Sequence, residues 1–154
     1  MRGPGYDRPV HKQLTATSFP ALLRRGAVTV AFGRVALGLT ALAWPAVPAR
    51  PWVGATAGDL TAQVFGRALG GRDLALGLGA LTALRPGAQP GPDAVWVAAG
   101  ALSDALDVAA SLASWPELPR ITRWLVVFSA GGAALTGGAA AVATVASRSS
   151  SASD

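Results

Sequence analysis

Few side chains in this sequence are placed to do chemistry. Asp104 and Asp107 stand three apart in the apolar run "ALSDALDVAAS", while Arg34 interrupts "VAFGRVALGL" and the pair Arg72-Asp73 interrupts "GGRDLALGLGAL". The i, i+3 spacing puts both carboxylates of the first run on one helical face. From there they can carry protons, touch a cation or pair with a guanidinium. Other chemistries are excluded by residue type. The single histidine, His11, stands near the N-terminus and there is no cysteine, so neither a His-assisted nucleophile nor a zinc site can be assembled. Two carboxylates without further oxygen ligands make a poor cation cage, and "GLGAL" does not complete a dinucleotide-binding fingerprint. No catalytic, metal or cofactor residue is expected, and no enzyme.

The elements that carry these charges are apolar. Charged residues make up 14% of the 154 and hydrophobic ones 51%, against roughly a quarter charged in a soluble domain. Most of the net charge of +5 lies before Gly26, and the basic residues form no single stripe and are not interleaved with exposed aromatics, so nucleic acid is not an expected partner. Asparagine is absent, and lysine and isoleucine occur once each, a bias that a high-GC bacterial genome would write.

Four apolar runs, 27–45, 68–85, 94–114 and 124–146, predict an all-α integral membrane protein with four transmembrane helices in an antiparallel bundle. About 19 residues at 1.5 Å each span the ~30 Å hydrocarbon core. The connections "PAVPARP", "RPGAQPGPD" and "WPELPR" carry helix breakers that terminate each run separately. Trp44, Trp96, Trp115 and Trp124 stand at run edges and Trp52 in the first connection, the pattern of an aromatic belt. A cleaved leader is the competing reading of the first run. It would be unusually long and interrupted by Arg34, and three further runs would hold the product in the membrane regardless. Residues 1–26 read as a basic, mostly irregular tail with a short helix around "FPALLRRG", and 147–154 as a disordered tail. With four crossings the side of the termini carries seven basic residues against Arg50, Arg67, Arg120 and Arg123 opposite, which places both termini in the cytoplasm of a bacterial plasma membrane.

Depth along each helix then says which charges can meet. Counted from the cytoplasmic end at 1.5 Å per residue, Arg34 lies ~11 Å in and Asp104 ~15 Å, while Asp107 lies ~20 Å in and Arg72 ~24 Å. The expected pairs are Arg34 with Asp104 and Arg72 with Asp107. Arg72 alternatively snorkels to the headgroups. Asp73 is expected at the start of its helix, meeting water, capping, or pairing with Arg67. Two arginines for two aspartates neutralise fully, which favours a structural staple and an accessory membrane role over a proton- or cation-coupled transporter or channel using Asp104 or Asp107. In the last run, Ser129, Ala133 and Gly137, and Gly132, Thr136 and Ala140, give small-xxx-small spacing. It suits packing within the bundle or in a homo-oligomer or against a membrane partner protein, besides the lipid bilayer itself.

Two likenesses complete the reading. "GRVALGLTALAWP" and "GRDLALGLGALTALRP" share an order of residues, read either as an inverted repeat or as shared composition. Together with "DALDVAA", the stretches "GRVALGL" and "GGRDLALGLGAL" resemble the small four-helix membrane proteins of high-GC actinobacteria known as a domain of unknown function. A fainter similarity, through the Arg and Gly of the first run, is to DoxX-type membrane proteins. The resemblance implies four membrane helices over about 27–146 and no particular reaction.

Overall fold

A computed structural model describes the backbone of residues 11–88 and 94–151, and the side chains of 21–88 and 94–143. Among these residues the chain is all helical: α1 His11–Ala43, α2 Ala46–Val53, a 3-10 turn Gly54–Gly58, α3 Leu60–Ala83, α4 Ala94–Ala113 and α5 Arg120–Ser151. α1 stops just before Pro45, whose ring disfavours helical geometry in the residue ahead of it. Gly54, at φ 63°, ends α2, and Gly87, at φ 77°, turns the chain after α3, a backbone region open to glycine without strain.

Boundaries differ from the sequence expectation in four places. The basic segment before Gly26 is helical from His11 onward, since its alanines, leucines and arginines are good helix formers; residues 1–10 lie outside the described ones. "PAVPARP" folds largely into α2, with Pro51 in its closing turn. α3 begins at Leu60 rather than 68, because Thr61, Gln63 and Arg67 interrupt the apolar run without breaking the helix. The tail expected to be disordered from 147 is helical to Ser151, with 152–154 outside the described residues.

Among the described residues three helices are long and apolar enough to cross a membrane: Ala21–Ala43 of α1, Ala94–Ala113 of α4 and Arg120–Ala143 of α5. α3 has the length, but Arg67, Arg72 and Asp73 fall together within it.

The helices pack in a ring, α1 beside α3, α3 beside α4, α4 beside α5, and α5 beside α1. α1 and α3 run in opposite directions and approach through glycine. A Cβ on Gly38 would stand 2.7 Å from the Gly70 carbonyl oxygen and 2.7 Å from the Leu74 nitrogen; one on Gly77 would stand 2.8 Å from the Ala31 carbonyl oxygen and 3.0 Å from the Val35 nitrogen. These two sets of contacts are counterparts. A shift of 39 residues takes Gly38 to Gly77, Ala31 to Gly70 and Val35 to Leu74, and it superposes "ALGL" of 36–39 on "ALGL" of 75–78 without a gap. The echo is thus a two-fold arrangement of contacts, with its register set by these glycines and not by the two Gly-Arg pairs.

Side-chain size is distributed outward. The buried apolar residues are Ala27, Ala31, Ala41, Ala57, Ala80, Ala140, Val97 and Val126, whereas Leu22, Phe32, Leu60, Phe65, Leu102, Phe128 and Leu135 are at least 60% exposed. Water would penalise such an exterior. Lipid does not, and small interior residues are what membrane helices use to approach closely.

Candidate functional site

The interior seams of three helices carry the charges. On α1 the buried positions are Ala27, Ala31, Arg34, Gly38 and Ala41, alternating four and three apart; on α3 they are Gly70, Asp73, Gly77 and Ala80. On α4 they include Val97, Gly100, Ser103 and Asp104. An alternation of three and four is the spacing of one inward helical stripe, so each charge lies in line with the small residues that let the helices meet.

Arg34 is the hub. Its Nη1 donates to Asp73 Oδ1 at 2.6 Å and its Nη2 to the Gly100 carbonyl oxygen at 2.6 Å. The same Nη2 stands 2.7 Å from Asp104 Oδ1. One guanidinium therefore ties α1 to α3 and reaches across to α4. Arg34, Asp73 and Asp104 are only 7%, 6% and 8% exposed. Beside them Arg72 clasps Asp107 with a two-pronged fork, Nη1 to Oδ1 at 3.1 Å and Nη2 to Oδ2 at 2.8 Å, and Arg72 Nη2 also approaches Asp73 Oδ1 at 3.4 Å. This second pair is a third exposed at each side chain. Burial of such ions is tolerable only where partners and hydrogen bonds are supplied together.

Equal depth puts Arg34 level with Asp104 and Arg72 with Asp107, and both pairs are in contact. Asp73 is a correction. It is not a helix-start residue meeting water or Arg67, because α3 begins thirteen residues earlier at Leu60, and its carboxylate is buried against Arg34. Arg67 is exposed and makes no ion pair among the described residues. Arg72 lies midway along α3, about 17 Å from either end, and is engaged with Asp107 there rather than extended to an interface. The Gly100 carbonyl was also missing from the sequence reading. A signal for Asp73 was present all the same: Gly70, Asp73, Gly77 and Ala80 share one stripe, and glycine on a stripe marks the side where another helix approaches.

The cluster is not neutral. Two guanidinium groups face three carboxylates, a formal charge of −1. Asp104 Oδ2, Ser103 Oγ and Arg72 Nε are buried without a hydrogen-bond partner. A cavity of about 20 Å³ adjoins Asp104, lined by Arg34, Trp96, Val97, Gly100 and Gly137 among others, which is room for a single water molecule.

The small-residue stripe of α5 is divided. Gly137 packs on α4, its would-be Cβ 3.2 Å from Ala101 Cβ, while Gly131, Gly132 and Gly138 face open space. At the opposite end, the Trp115 and Trp124 rings meet edge to face at 5.7 Å, with the Arg123 guanidinium 5.6 Å over Trp115. Arg123 also closes the α4–α5 turn by donating to the carbonyls of Leu118 and Pro116. Thr122 donates to the Pro51 carbonyl, joining that turn to α2.

No family model, curated protein or solved structure matches this chain.

Proposed function

We propose that the chain is a four-crossing integral membrane protein of a bacterial plasma membrane, α1, α3, α4 and α5 forming an antiparallel bundle with both termini cytoplasmic. Its role is that of a structural or accessory membrane component, held together by Arg34, Arg72, Asp73, Asp104 and Asp107, and not that of an enzyme. The observation that carries this reading is a buried ion cluster at the middle of a bundle whose exterior is Leu, Val and Phe. Asp73 and Asp104 each lie ten residues from the same end of the bundle, about 15 Å in and so close to mid-bilayer. α3 becomes compatible with a crossing because two of its three charges are satisfied from neighbouring helices.

The test is replacement of Asp104 and Asp107 by Asn, singly and together, with abundance in the membrane fraction and ion flux in vesicles as the two readouts. The accessory role predicts reduced abundance of each variant, since Arg72 loses its counter-charge at Asp107 and Arg34 loses a carboxyl oxygen at Asp104. A second reading, proton- or cation-coupled transport, draws support from the third carboxylate; it predicts normal abundance and abolished flux.

A further inference from the structure

We propose that Asp104 holds one exchangeable proton, reached from the end of the bundle at which α1 enters and α4 begins. The argument starts from the charge count. Two guanidinium groups cannot neutralise three carboxylates, and the remaining negative charge sits among alanines and glycines in the interior. A lone charge at that depth is costly, and uptake of a proton removes it.

Geometry selects which carboxylate takes the proton. Asp73 lies between Arg34 and Arg72, and Asp107 is gripped at both oxygens by Arg72. Asp104 touches one guanidinium through Oδ1, and its Oδ2 is buried and unpartnered. The charged groups acting on it are Arg34 from α1, Asp73 from α3 and Asp107 one turn along α4. α5 contributes no charged side chain between Trp124 and Ala143. The cavity beside Asp104 is lined on its other side by Val97, Trp96, Ala27 and Ala80, residues toward the start of α4, the start of the Ala21–Ala43 stretch of α1 and the end of α3. That is the direction of access.

The step balances simply. A hydronium ion gives its proton to the Asp104 carboxylate and leaves as water, Asp104 becomes a carboxylic acid, and the cluster passes from −1 to zero. Arg34 keeps Asp73 and the Gly100 carbonyl throughout, so protonation loosens its hold on Asp104 alone. A metal cation fits less well, because the Gly100 oxygen is already occupied by Arg34 and hard cations ask for six or more oxygens.

The inference deepens the reading of this cluster and rests on the membrane reading for the cost of its unbalanced charge. The experiment is infrared difference spectroscopy of the full chain in lipid vesicles across a pH series, with 13C-labelled aspartate to identify the carboxyl band. The expected result is an aspartic acid band at neutral pH, worth one carboxyl per chain, that disappears on alkalinisation, is lost in Asp104→Asn and is kept in Asp107→Asn. Absence of an aspartic acid band from the unmodified protein at neutral pH overturns the proposal, whether or not the variants fold. So does a band that survives Asp104→Asn, or one that sodium removes at constant pH. Alkaline carbonate extraction of the same vesicles reports separately on the membrane reading, which fails if the chain is washed off.

Discussion

At the scale of single residues, Arg34 decides the arrangement. It touches both α3 and α4 from α1, so its removal strands the Asp73 carboxylate and leaves Asp104 without its donor. Arg34→Gln is expected to cost about 3–5 kcal/mol, the usual effect of leaving buried charge unpaired. Arg72→Gln should cost less, because its pair is a third exposed. Thermal unfolding in detergent measures both, and adding Asp73→Asn to Arg34→Gln should recover part of the loss. Depth requires only counting along a helix, which is why Arg34 could be set against Asp104, and Arg72 against Asp107, from sequence. Asp73 requires azimuth as well as depth. It follows Arg72 by one residue, about 100° around the helix, and only the glycines sharing its stripe say that this direction faces inward.

At the scale of elements, glycine sets how closely α1 and α3 approach. A methyl group on Gly38 meets the backbone of Gly70 and Leu74, which cannot move aside as a flexible side chain would. Gly38→Ala should therefore lower stability by about 1–3 kcal/mol, in the range of overpacked cores. Gly33 is five residues away on the same helix and faces nothing within 4 Å. Gly33→Ala should be neutral or stabilising by roughly 0.5–1 kcal/mol through helix propensity. Unfolding midpoints of the two variants, compared side by side, check the difference. The apolar runs located the helices in sequence, because hydrophobicity reports burial in lipid or core. Helix starts were less legible: Leu60 to Arg67 and His11 to Gly26 are helical without being uniformly apolar, and hydropathy carries no information about such extensions.

At the scale of the whole molecule, size and polarity are both arranged for a surrounding of lipid. Large apolar side chains lie outside and alanines and glycines inside, with the charges gathered at mid-depth. Among the described residues three helices are long and apolar enough to cross a membrane, and α3 carries three charges along its length. We propose that α3 crosses too, because Arg34 and Asp107 neutralise two of its three charges in place. Absence of native cysteine makes this directly measurable. Single cysteines at Gly58, just before α3, and at Ala88, just after it, are treated in intact cells with a membrane-impermeant maleimide. The account predicts that Gly58→Cys is labelled from outside and that Ala88→Cys reacts only after the membrane is opened. Labelling of both from the same side would contradict it, since α3 would then not cross.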